Sequence, residues 1–118
     1  MTAIINNSIL TDAAVVTVPP TIGNSTTSKY FLQLTDAVGA SRVINFPTVP
    51  GVDGEVVDLE IVQSATGSRA ATWGSRIAFG TDITAAVLTV TANKRDYIRF
   101  RYCRGLDRWC VTSFVKGF

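Results

Sequence analysis

The chain of 118 residues contains no histidine, and that single absence removes most of the usual catalytic vocabulary. Without an imidazole there is no Ser-His-Asp or Cys-His arrangement, no proton shuttle poised near neutral pH, and no ligand of the commonest metal-binding type. Cysteine is scarce too: Cys103 and Cys110 stand alone, with no activating base and no further ligands to complete a four-coordinate zinc site. No G-x-x-x-x-G-K run occurs, and the glycines stand singly in turns, so nothing cradles phosphate. Charged residues make up only 17% and leave a net charge of +2, too mild and too scattered for a nucleic-acid reader. No apolar run approaches the roughly 18 residues needed to cross a bilayer. Met1 to Asn7 lacks a basic segment followed by an apolar one, so the expectation is synthesis in a cytoplasm without a cleaved leader.

What is present is β-strand grammar. Asp96 to Tyr102 alternates strictly, with Ile98, Phe100 and Tyr102 on one face and Tyr97, Arg99 and Arg101 on the other. That period of two marks a half-buried strand. Glu55 to Gln63 repeats the pattern, with Val57, Leu59 and Ile61 inward. Further strands are expected over Ala13–Val18, Tyr30–Leu34, Arg42–Phe46, Ala70–Trp73, Arg76–Phe79 and Ala85–Thr91, with Trp109 re-entering the core on a final strand. Between them stand turn formers: Pro19-Pro20, Gly23-Asn24 in the polar stretch 21–29, Gly39, and Asp53-Gly54, a hairpin signal. Short strands about 8–12 residues apart, with no helical period, predict an all-β chain: a single antiparallel β-sandwich of jelly-roll type over residues 13–118. Residues 1–12 read as an extended N-terminal arm. A hydrophobic content of 47% with so few charges predicts that a partner chain covers part of the surface.

Candidate chemistry is thin. Asp58 and Glu60 project from one face of one strand, roughly 7 Å apart by the strand rise. An inverting glycosidase uses carboxyls about 6.5–9.5 Å apart, but nothing in the sequence builds the pocket that would raise one pKa. Asp36, Asp53 and Asp82 sit in turns, where the side chain bonds local amides, and no calcium-loop spacing surrounds them. Arg95, Arg99, Arg101, Arg104 and Arg108 form the one local excess of charge. An unbroken pleat would put Tyr97 and Phe114 on the face away from Phe100 and Trp109, as an interface or a stacking platform. If Gly105 to Arg108 closes the last hairpin, Cys103 faces Cys110; a loop one residue shorter turns them to opposite faces. Free thiols are the default reading of the pair.

Trp73-Gly74, a Thr/Val-rich stretch, Asp96-Tyr97-Ile98-x-Phe100, a glycine-bearing loop and Trp109 together resemble a β-module of tailed-phage virion proteins, over about residues 54–118. The loop Arg104-Gly105-Leu106-Asp107 departs from the family's usual tight turn before the tryptophan. The resemblance implies a non-enzymatic, homotrimeric structural protein of the virion, made in the host cytoplasm, with no cofactor and no nucleic-acid or membrane partner. Within that class a capsid decoration (cement) protein is expected, bridging the major capsid protein's subunits through Ile4 and Ile5 of the arm and through Tyr97, Arg99, Arg101 and Arg104. The alternative is a tail fibre or spike tip binding a host receptor or glycan, which expects Tyr97, Trp73 or Phe114 exposed in a groove beside Asp or Asn.

Overall fold

A computed structural model describes residues 5–19 and 27–118, and for residues 5–7 the backbone alone. The described residues are all-β, with no helix. Nine strands make two sheets: β1 (Ile5–Leu10), β2 (Val15–Thr17), β3 (Thr27–Gln33), β4 (Ser41–Asn45), β5 (Val56–Val62), β6 (Ala70–Trp73), β7 (Ile77–Ala78), β8 (Arg95–Cys103) and β9 (Arg108–Val115). The larger sheet runs β1-β3-β5-β8-β9-β7 and the smaller runs β2-β4-β6.

The chain winds before it folds back. Strands β1, β3 and β5 stack in parallel in the large sheet, and β2, β4 and β6 stack in parallel in the small one. Thr27 pairs with Val56 and Ser41 with Ala70, the same offset of 29 positions on both sheets, so successive turns of chain lie on one another like coils. Only β5-β8 and β8-β9 are antiparallel. The antiparallel sandwich expected from strand spacing is therefore met in part: the chain is all-β with two sheets, but the sheets are mixed and most connections pass from one sheet to the other. Asp53-Gly54 illustrates the difference. Gly54 takes a φ of 81° and the Glu55 amide bonds the Val52 carbonyl, so a turn forms there, yet it leads into β5 beside parallel β3 and closes no hairpin.

Residues 5–10 of the expected arm lie as the edge strand of the large sheet, Ile5 opposite Thr27 through Leu10 opposite Leu32. The turn assigned to Gly23-Asn24 lies outside the described residues, and β3 begins three residues before Tyr30. Both sheets turn their apolar sides to one core. Val16 and Ile44 from the small sheet meet Leu32, Leu59, Ile61, Ile98, Phe100 and Trp109 from the large one. Its centre is aromatic: Phe46 stacks on Trp109 at 4.3 Å and meets Phe100 edge-on at 5.1 Å.

Ala85–Thr91 was expected as a strand and belongs to neither sheet. Ala86 and Leu88 point inward and Val87 and Val90 outward, so the alternation is real, but it reports burial rather than pairing. The backbone of this segment bonds to side chains and turns instead. Trp73 Nε1–H donates to the Ala86 carbonyl at 2.7 Å, the Thr89 amide donates to Asp96 Oδ2 at 2.7 Å, and the Ser68 amide donates to the Val90 carbonyl at 2.8 Å. Asp96 also accepts from the Thr89 hydroxyl and the Gly117 amide. The first residue of the Asp-x-Ile-x-Phe run is thus a buried clasp for two segments that lack a ladder.

Gly67 lets that segment close in. It has a φ of 78°, and a Cβ there would lie 2.6 Å from the Val90 carbonyl oxygen. Gly67→Ala is expected to cost about 2–4 kcal/mol in chemical denaturation, the left-handed backbone and the clash each contributing. A loss below about 1 kcal/mol would mean the 85–91 segment does not pack there.

Candidate functional site

The outer side of the large sheet carries the most exposed chemistry in the described residues. Register alone builds it: side chains at paired positions of neighbouring strands stand side by side on one face. One row across the sheet reads Ile9, Phe31, Glu60, Tyr97, Val115, and the next reads Lys29, Asp58, Arg99, Ser113. The first row is mostly apolar and open to solvent: Ile9 is 82% exposed, Tyr97 39% and Val115 47%. Phe118 extends it, its ring edge-on to Tyr97 at 5.7 Å. A groove of about 700 Å³ runs over these rows, lined by Ile9, Phe31, Asp58, Glu60, Tyr97 and Arg99 among others.

The carboxylates in the groove are engaged. Arg99 grips Asp58 with two hydrogen bonds, Nε to Oδ1 at 2.6 Å and Nη2 to Oδ2 at 3.0 Å, and the Asp58 carboxylate raises the Arg99 pKa further. Arg95 bonds Glu60 at 2.9 Å. A hydrolytic pair needs one carboxyl that keeps a proton and one that stays free. Here an arginine is bonded to each carboxylate and occupies its oxygens.

The sequence-derived site residues scatter more than expected. Tyr97 and Arg99 line the groove, and Arg101 continues the same face one row further, opposite Val56 and Cys110. Arg104 sits off that face in the hairpin turn, where its amide donates to Asp53 Oδ1 at 3.0 Å. Ile5 contributes backbone to the edge strand, and Ile4 lies outside the described residues. Two of the turn aspartates bond distant groups rather than local amides: Asp36 accepts from the Thr66 hydroxyl at 2.6 Å and from Arg69 at 3.1 Å, and Asp53 accepts from the Arg104 amide.

Phe114 is corrected. The register slips between Arg99 and Phe100, pairing Arg99 with Ser113 but Phe100 with Val111, so Thr112 is an extra residue on β9. One inserted residue reverses the alternation beyond it. Phe114 then aligns with Ile98 and packs against the core, away from Tyr97. Trp73 is half-buried and its indole N–H is bonded, which leaves Tyr97 as the exposed aromatic of the three.

The cysteines are free, as expected, but their register matches neither of the two expected arrangements. Cys103 pairs with Arg108 and Arg101 with Cys110, so the turn is Arg104–Asp107 and the thiols are diagonal neighbours on one face. Both are free and partly exposed. Burial and the adjoining Cys103 push the Cys110 pKa up. The turn is braced by Asp107, whose φ is 50°. Asp107 accepts both guanidinium nitrogens of Arg76, at 3.1 and 2.9 Å, and the Tyr102 hydroxyl. The Arg76 bonds, then the Tyr102 bond, bring its pKa down to about 2.

Ile9, Phe31 and Lys29 are groove residues that sequence reasoning did not select. The alternation of Lys29 and Phe31 with Tyr30 and Leu32 marks their face, but only parallel pairing with β5 brings them beside Glu60 and Asp58. Searches against protein-family models and against curated proteins found no match for this chain.

Proposed function

We propose that this chain is a non-enzymatic structural protein of a phage virion, and within that class a capsid decoration protein that cements neighbouring capsid subunits. One observation carries the reading: large apolar side chains stand exposed on the face of a rigid sheet, interleaved with arginine–carboxylate pairs. A central apolar strip with a charged surround is the composition of a protein–protein interface. The paired carboxylates give that face specificity of docking rather than a reactive group. A homotrimer fits the low charge content, since each copy can cover apolar surface on the next.

The second reading, a fibre or spike tip that binds a receptor or glycan, is favoured by a different feature of the same face. Tyr97 and Phe31 flank Glu60 in an open groove, with Asp58 in the adjacent row. An aromatic ring beside fixed polar groups suits a sugar or a peptide.

Immunogold electron microscopy of the source phage, with antibody raised against the purified chain, separates the two. Label on the head supports the decoration role and label at the tail tip supports the second reading. Particles that bind no gold, while the same antibody detects the protein in infected cells, would remove both.

A further inference from the structure

We propose that Cys103 and Cys110 form a dithiol exchange site that reacts with anionic small-molecule disulfides, of which glutathione disulfide is the type, and closes into a disulfide across the β8–β9 hairpin. Three observations carry it, and none depends on the virion reading. First, the ladder sets the two residues diagonally across adjacent strands on one face. Diagonal Cα atoms are about 7–8 Å apart, at the limit of an unstrained disulfide, so closure draws the two strands slightly together; the thiols are near enough that Cys103 helps raise the Cys110 pKa. The last ladder pair of β5 is Val56 with Arg101, so Cys103 lies past the end of that strand, where β8 is tied on that side only by the Tyr102 backbone bonds to Gly54 and Glu55 and by the Arg104 amide bond to Asp53 among the described residues.

Second, both thiols are partly exposed, so a small reagent has access. Third, each stands directly opposite an arginine, Cys110 opposite Arg101 and Cys103 opposite Arg108, with Arg104 in the turn between. Two guanidinium groups on the face of the dithiol attract a reagent that carries carboxylates.

The chemistry balances without any further reactant. The thiolate of one cysteine attacks a sulfur of glutathione disulfide, the reagent's S–S bond breaks, and one glutathione thiolate leaves and takes up a proton. The second cysteine, deprotonated in its turn, attacks the protein sulfur of the mixed disulfide and expels the second glutathione. Two protein thiols are oxidised and one disulfide is reduced to two thiols. Because burial raises the Cys110 pKa, its participation as thiolate quickens as pH rises above neutrality.

The test is mass spectrometry of the full chain after timed exposure to glutathione disulfide. The expected product is about 2 Da lighter than the reduced chain, while Cys103→Ser and Cys110→Ser each stop at a single adduct about 305 Da heavier. Glutathione disulfide should react roughly tenfold faster than cationic cystamine at low salt. That preference should shrink in high salt and in Arg101→Gln/Arg108→Gln. Two stable adducts on the wild-type chain would show that the thiols do not meet, and equal rates for anionic and cationic reagents would show that the arginines do not select. Either result overturns the proposal.

Discussion

Trp109→Ala is expected to lower the stability of the chain by about 3–5 kcal/mol, a large share of the roughly 5–15 kcal/mol that holds a domain of this size. Trp109 is 0% exposed. It stacks on Phe46, with the planes 9° apart, and touches Tyr102 at 5.3 Å between centroids. Gly51 closes the other side so tightly that a Cβ there would lie 2.8 Å from the indole. A ring wedged between backbone and two aromatics leaves a cavity its neighbours cannot fill, and the cost grows with the void. The indole N–H has no hydrogen-bond partner among the described residues, so Trp109→Phe deletes a buried, unpaired donor along with part of the ring. It is expected to lose less than half as much as the alanine variant. Tyr97→Ala, on the outer face of the same sheet, should fall below about 1 kcal/mol. Urea midpoints at unchanged m-value provide the reading. A Trp109→Ala loss no greater than that of Tyr97→Ala would mean the aromatic stack is not the centre of the core.

The same contrast explains how far the sequence could be read. Asp96 to Tyr102 alternates as its letters say because β8 is straight and flanked on both sides, so burial and pattern coincide. On β9 the pattern reads true from Trp109 to Val111 and then inverts, because Thr112 is an inserted residue and no letter distinguishes a bulge from the next pleat. Ala86 and Leu88 are buried in alternation like strand residues, yet their segment is held by Asp96, Trp73 and Gly67. Apolar period gives the face a residue occupies. It does not give the neighbour, since Phe31 meets Glu60 only through a parallel ladder whose partners are 29 positions apart. With so few coils, and Thr27–Gln33 sharing little with Val56–Val62 beyond alternation, the winding leaves no visible repeat. Tyr97 and Arg99 were legible from one strand and Asp58 and Glu60 from another; Ile9, Lys29 and Phe31 required the stack.

Asp12→Ala is expected to be as damaging as Trp109→Ala, at about 3–5 kcal/mol, because it strands a charge rather than opening a cavity. Arg42 occupies an inward position on β4, and the side chains of Arg42 and Asp12 are 0% and 1% exposed. Arg42 donates from Nε and Nη2 to the two oxygens of Asp12, at 3.0 and 2.6 Å, and to the carbonyls of Thr35, Gly39 and Ala70. Asp12 also receives the Thr35 amide at 2.8 Å. One guanidinium thereby ties the corner after β1, the corner after β3 and the start of β6, which are successive coils. Removing the carboxylate leaves the cation buried with carbonyls alone. Asp12→Ala/Arg42→Met, which removes both charges, should cost less than Asp12→Ala by itself, and a simple sum of the two single losses would show that the pair is not coupled. Acid offers an independent check. Burial alone would raise the Asp12 pKa, but the Arg42 and Thr35 bonds outweigh it and bring the carboxyl below its usual value. A carboxyl with a lowered folded pKa stabilises fully above its unfolded value near 3.8 and loses that stabilisation as pH falls through the folded value. Asp107, lowered to about 2, titrates in the same direction but is half exposed, so solvent screens its share. The wild-type chain should therefore weaken as pH drops from about 4 toward 2, and Asp12→Ala should show a shallower decline from its lower start. Because the clasp sits two residues past β1, its loss should first free the edge strand that carries Ile9. A variant that stays folded would then lose amide-exchange protection in β1 while keeping the β8–β9 hairpin intact.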